Sequence, residues 1–230
     1  MVRSNSLPTV VKNFEIKKFQ KLILRFWDDS GRKNLPWRST RNPWHILIAE
    51  VLLRKTTAVQ VSTVFDALIK HSPLDLKKMD VLDLEEKLKP MGMYRVRAKQ
   101  MQALAEAVEE AAVEDFSDPD FLEKLPGVGR YARNAVLCFA FGSPKPALDT
   151  NMIRVISRVF GWQTSRSRAR EDKELWVFAE QLVPNRRCRE YNWAILDFAN
   201  MVCRARGPKC GECTLKEICR FYSTDPNNAL

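Results

Sequence analysis

Apolar side chains recur along this chain every three or four positions, and no convincing strand alternation interrupts them, so the pattern predicts an all-α protein. Phe19, Leu22, Ile23, Phe26 and Trp27 share one face of a first helix over residues 14–29, which Ser30-Gly31 stops. Pro43 stands where a second helix begins. That helix runs through Ile46-Leu47-Ile48-Ala49-Glu50-Val51-Leu52-Leu53, apolar on every side except for one carboxylate. Val61, Val64, Phe65, Leu68 and Ile69 mark a third. Residues 75–89 mix charges with Leu76, Met79, Leu82, Leu84 and Leu88 and read as one short amphipathic helix. After the loop Pro90-Met91-Gly92-Met93-Tyr94, Arg95, Arg97 and Lys99 open the next helix. Pro119 initiates a short one, and further helices follow Arg130 and Asn151 and span residues 171–183. Residues 191–202 are apolar nearly all round, a length that suits a core helix rather than a membrane span. Residues 1–13 read as a loose arm.

Composition narrows the partners more than the fold. A chain of 230 residues, 45% hydrophobic and 29% charged, buries a sizeable core in one or two domains. A net charge of +10 favours a polyanion. The eight acids and no bases of residues 106–123 predict a solvated face turned away from it. No run of 18 apolar residues is present, which predicts no membrane span, and Met1 to Pro8 holds no apolar signal core. A reducing, cytoplasmic location is the expectation, and there six cysteines serve as ligands or buried thiols rather than as disulfides.

Six places carry chemistry. Leu125-Pro126-Gly127-Val128-Gly129-Arg130-Tyr131 is a tight turn that opens a helix, and a helix N-terminus reached through glycines seats a phosphate. Leu148-Asp149-Thr150-Asn151 puts an acid at the mouth of the next helix, where it serves as an N-cap. Glu50 sits among apolar neighbours, either paired with Arg54 or held in a cleft for chemistry. The basic loop of Arg32, Lys33, Arg38 and Arg41 around Trp37 suits a nucleic acid backbone, with a Trp that anchors the loop to the core as the equal alternative. Met93, beside basic residues, either wedges into a base stack or packs in the core.

The sixth place is Cys203, Cys210, Cys213 and Cys219, spaced C-x6-C-x2-C-x5-C. Four thiolates in one compact loop enclose a tetrahedral metal or an iron–sulfur cluster. Zinc usually takes two close pairs, and here only Cys210 and Cys213 form one, which leans toward a [4Fe–4S] cluster. Arg204, Arg206 and Lys209 lie in the intervening loop, which Pro208 stiffens into a phosphate clamp. Cys138 and Cys188 fall outside the pattern and read as buried structural residues.

The hairpin, Asp149 and the cysteine spacing together resemble the helix-hairpin-helix DNA glycosylases with a Gly/Pro-rich loop and a catalytic Asp, the superfamily of endonuclease III and the MutY-type enzymes. The resemblance spans about residues 14–220. It implies two helical domains with DNA in the cleft between them. One is a six-helix barrel with the helix-hairpin-helix, residues 37–144. The other is an iron–sulfur cluster domain of residues 1–36 and 145–230. The family's catalytic acid falls on Asp149. Endonuclease III-like glycosylase/lyases carry a Lys after the position of Arg130, whereas this chain has Tyr131, and a phenol forms no Schiff base. A monofunctional glycosylase is therefore implied.

Glu50 is similar to the base-pocket carboxylate of MutY-type and Mig-type enzymes. Leu53-Arg54-Lys55-Thr56-Thr57 resembles the Mig pattern, and 11 residues beyond Cys219 are too few for the second domain of MutY-type enzymes. The resemblance thus implies a base-excision repair enzyme, monomeric and nucleoid-associated, that removes thymine or uracil opposite guanine from double-stranded mismatched DNA. In that scheme Asp149 stabilises the oxocarbenium-like sugar, Asn151 helps orient water, and Glu50 hydrogen-bonds or protonates the base. Tyr131 lines the pocket beside the sugar. Lys55 or Arg54 fills the gap left by the flipped nucleotide and Met93 wedges the other strand, while Gly127, Gly129 and Arg130 hold the phosphate. The alternatives are an adenine glycosylase acting on A·G or A·8-oxoG pairs and a non-catalytic iron–sulfur protein that binds mismatches.

Overall fold

The computed structural model describes residues 11–164 and 166–224; the expected loose arm of residues 1–13 lies mostly outside them. Among the described residues every regular element is helical. Twelve α-helices are described: α1 Asn13–Ser30, α2 Pro43–Leu52, α3 Ala58–Leu68, α4 Pro73–Lys78, α5 Val81–Leu88 and α6 Tyr94–Ala107, then α7 Pro119–Lys124, α8 Arg130–Phe139, α9 Thr150–Phe160, α10 Lys173–Leu182, α11 Cys188–Met201 and α12 Arg220–Thr224. None of them is long and apolar enough to cross a membrane. They fall into two compact units. One comprises the chain up to Arg32 together with residues from Pro144 onward, and the other runs from Lys33 to Ser143.

In the discontinuous unit, α1 packs along α11, and α9 packs on α11 as well. Aromatic rings make that seam: Phe19 meets Phe160 edge-on at 5.1 Å, Phe26 meets Phe198 at 5.3 Å, and Trp27 lies against Trp193. Such pairs add to the area they bury. Asp197, fully buried on α11, accepts from the Arg32 backbone N at 2.8 Å and from its guanidinium Nε at 2.7 Å and Nη2 at 2.6 Å. A carboxylate so placed needs a charged partner to offset its desolvation.

In the continuous unit, α2 packs on α8, α3 and α6, while α4 and α5 lie on α6. Leu47, Ile48, Leu52, Phe65, Leu68 and Leu104 have almost no exposed surface. The single helix expected over residues 75–89 is two. Ser72 and Pro73 start α4 with a reciprocal Ser72–Asp75 cap, Met79 turns extended, and Asp80 accepts from Leu82 N at 2.7 Å to begin α5. Two N-caps eight residues apart, Ser72 and Asp80, outweigh a continuous apolar stripe. Trp37 is buried and meets Phe65 edge-on, so in this loop the anchoring role of the tryptophan prevails.

Candidate functional site

The hairpin lies in the continuous unit. Pro126 is followed by Gly127 at φ +77°, and Val128 N donates to Leu125 O at 3.1 Å, the pattern of a type II turn. Gly129 is then the N-cap of α8 and brings no side-chain acceptor to it. A helix's first amides have no acceptor within the helix, so this mouth presents donors and a positive dipole end. Arg130 and Tyr131 open α8, both half-buried.

Glu50 lies near the end of α2, 4% exposed. Beyond Leu52 the chain leaves the helix. Arg54 reaches the hairpin and donates to Gly127 O at 2.9 Å, so the two elements are tied to each other. Val51, Arg54, Lys99, Gln100, Pro126 and Gly127 border an open recess of about 250 Å³. Lys55 is the exposed tip, at φ +56°. Met93 is a second such tip, at φ +48° and 61% exposed; the core-packed reading of this residue is therefore set aside. Its methylene and thioether surface points into solvent because a left-handed residue at the start of α6 turns the chain outward.

A second group of candidate residues lies in the discontinuous unit. Asp149 caps α9: its Oδ1 accepts from Asn151 N at 2.9 Å and Met152 N at 2.8 Å. Its Oδ2 accepts from Asn151 Nδ2 at 2.5 Å. Burial raises the carboxyl pKa above its ordinary value, and these hydrogen bonds together with nearby Arg154 oppose the rise. Arg154 in turn donates to Asn151 Oδ1 at 3.1 Å, to Cys203 O at 2.9 Å and to Ala199 O at 3.0 Å. The acid, its amide neighbour, an arginine and the first cysteine of the C-terminal loop are thus one connected polar chain.

Asn192, buried on α11, holds the extended run ahead of Asp149. It accepts from Ala147 N at 2.8 Å and donates to Lys145 O at 3.1 Å. Neither Arg154 nor Asn192 stood out in the sequence. An arginine on a basic chain and an asparagine inside an apolar helix carry no local signal of what they hold.

Cys203, Cys210, Cys213 and Cys219, each half-buried, line one partly enclosed recess with Val159, Phe198 and Leu215. Among the described residues no group of three or more histidine, cysteine or acidic side chains is gathered closely enough to hold a metal ion. Burial pushes the Cys213 thiol up to about 11, and the other three thiols push in the same direction. Arg158 Nη1 approaches Cys203 Sγ at 3.4 Å, and Leu215 N donates to Cys213 Sγ at 3.4 Å. Four soft donors around an apolar recess, with N–H groups aimed at two of the sulfurs, fit a thiolate-bound cluster. Cys138 and Cys188 are buried, in α8 and at the start of α11.

A family model for "HhH-GPD superfamily base excision DNA repair protein" matches residues 48–181. The chain is 40% identical over 223 residues to a thymine/uracil-DNA glycosylase of Pyrobaculum aerophilum, a match that covers 93% of this chain and 95% of that one. An adenine DNA glycosylase of Buchnera aphidicola is 29% identical, and the match covers 89% of this chain and 59% of that one. Among solved structures, a thermostable thymine-DNA glycosylase superposes with a TM-score of 0.83 at 36% identity, over 93% of this chain and 99% of that one.

Proposed function

Since the chain belongs to the HhH-GPD superfamily of base excision DNA repair proteins, we propose that it is a monofunctional DNA glycosylase that releases thymine or uracil mispaired with guanine in duplex DNA. The observation that carries the base assignment is the nearly end-to-end similarity to a thymine/uracil-DNA glycosylase, against a lower identity to an adenine enzyme. The same acid, Asp149, serves either base; the family relationship separates them.

The duplex sits with a phosphate at the open mouth of α8, held by the amides after Gly129 and supported by Gly127 and Arg130. A mismatched nucleotide leaves the stack at lower cost than a paired one. Arg54 is committed to the hairpin carbonyl, so Lys55 is the side chain that enters the gap, and Met93 presses on the opposite strand. As the glycosidic bond breaks, positive charge develops on the sugar, and the ionised Asp149 stabilises it. Asn151, bound to the same carboxylate, helps orient the attacking water. Glu50 hydrogen-bonds or protonates the departing base. Tyr131 lines the sugar side, and having no amine there the enzyme leaves an abasic site and an intact strand.

The Lys33–Ser143 unit serves as the six-helix barrel and the other as the cluster domain. Cys203, Cys210, Cys213 and Cys219 would hold a [4Fe–4S] cluster, whose iron–thiolate bonds would cross-link the C-terminal loop. Arg204, Arg206 and Lys209 on that loop add phosphate contacts, and the protein works as a monomer.

Single-turnover assays on duplexes with one T·G, U·G, A·G or A·8-oxoG pair test the reading. Thymine and uracil release, with strand breaks appearing only after alkali, is expected. Release from the adenine duplexes alone would overturn the base assignment, and strand breaks without alkali would overturn the monofunctional one.

A further inference from the structure

Two loops of the Lys33–Ser143 unit share an unusual feature. Among the described residues the non-glycine positions with positive φ are Lys55, Met93 and Arg187, and the first two are the exposed tips of these loops. L side chains rarely adopt that conformation, and they keep it only where the surroundings over-determine it. A glycine would adopt it freely, but it would bring no side chain to a DNA gap. Each loop therefore needs an external anchor.

One guanidinium anchors both. Arg97, in the second turn of α6, is 6% exposed. Its Nη1 donates to Leu52 O at 3.1 Å and its Nη2 to Arg54 O at 2.9 Å and to Thr56 Oγ1. These three acceptors bracket Lys55. Its Nε donates to Gly92 O at 3.3 Å, one residue before Met93. The planar fork of an arginine reaches four acceptors on two segments at once, which a lysine ammonium on a flexible stem does not reproduce.

We propose that Arg97 is a positioning residue that presets the Lys55 and Met93 tips as one rigid pair, so that opening the base pair requires no reordering of either loop. The proposal rests on the glycosylase reading above. Arg97 touches no substrate; it acts through the two backbones it holds. Its contribution is confined to getting the nucleotide out of the stack, before bond breaking begins.

The test compares two substrates in single turnover: uracil opposite guanine, and uracil opposite a stable abasic analogue, where no partner base must be displaced. Arg97→Met and Arg97→Lys are each expected to slow release from the U·G duplex by at least about tenfold, with the loss on the abasic-paired duplex several times smaller. Thr56→Val removes one acceptor, leaves Arg97 in place, and is expected to shift the ratio of the two rates the same way by a smaller factor. It reads the proposal even where the Arg97 variants fold poorly. Equal slowing on both duplexes would mean a general structural role and would overturn the proposal, as would no slowing on either. Failure of the unaltered protein to release uracil from both duplexes would instead remove the glycosylase reading itself.

Discussion

Two helix mouths within one stretch of chain are built in opposite ways. α8 begins at Gly129, which has no side chain to offer its first amides. α9 begins at Asp149, whose carboxylate accepts from two of them. A glycine cap costs only a few tenths of a kcal/mol relative to the best capping residues, so leaving the α8 mouth open sacrifices little. Filling the α9 mouth costs more than it needs to, because the filling carboxyl is desolvated and its pKa is driven up. The same physical device, the positive end of a helix, is thus offered once to an anion from outside and once used to hold an anion of the protein's own. In the proposed reading the first mouth binds and the second reacts.

The sharpest way to break that division is to remove the charge at α9 and keep its cap. Asp149→Asn retains a capping oxygen but no negative charge. Base release from a T·G or U·G duplex is expected to fall by about a thousandfold or more, the scale of losing a principal electrostatic contact to the transition state, while duplex affinity changes little. Should base release be undetectable already in the unaltered protein, with mismatch binding untouched in the variant, the protein is a binding module and not an enzyme.

The complementary experiment gives α8 the cap it lacks. A Cβ built at Gly129 has no heavy atom within 4 Å beyond its chain neighbours, and the backbone there is at φ −101°, so a side chain fits. Gly129→Asp is expected to weaken duplex binding by about 10- to 100-fold at low salt, since its carboxylate takes the amides that a phosphate would use. The rate of base release at saturating enzyme should move far less. If binding is unchanged in fluorescence anisotropy, the α8 mouth is not the phosphate seat.

How much of this was legible in the sequence differs between the two mouths for a physical reason. Both are local: Pro-Gly-x-Gly and Asp-Thr-Asn act on backbone within four residues, and such signals survive any tertiary context. The all-helical fold was equally legible, because apolar spacing states which face is buried. Less visible were the residues that hold the mouths and loops in place from a distance. Asn192 grips residues 145 and 147 from 47 and 45 positions away, and Arg97 grips Leu52 and Arg54 from 45 and 43. Met93 shows the same limit. Its residue type favours the core, and a left-handed backbone, which no residue type announces, puts it outside. The break between α4 and α5 is written in Ser72-Pro73 and Asp80, but the amphipathic stripe continues across both helices and masks it.

The smallest expected effect is also the most specific to the α9 mouth, because it separates charge from shape. Asp149 binds its proton more tightly folded than the ordinary carboxyl value of 3.8 allows in the unfolded chain. By linkage its stabilising contribution is complete below that ordinary value and is lost as pH rises through the raised folded value. At neutral pH the unaltered protein therefore carries the cost of a desolvated charge that Asp149→Asn lacks. The variant also loses something independent of pH, since an amide nitrogen facing Asn151 Nδ2 cannot accept its hydrogen bond. The absolute melting difference mixes the two, but its pH dependence does not. Measured by thermal unfolding, the stability of Asp149→Asn relative to the unaltered protein should be greatest near pH 7 and should decline steadily as pH falls toward about 4. A difference that stays flat over this range, or grows toward acid, would mean that the carboxyl is not desolvated, and the contrast between an open and a filled helix mouth would then be one of shape alone.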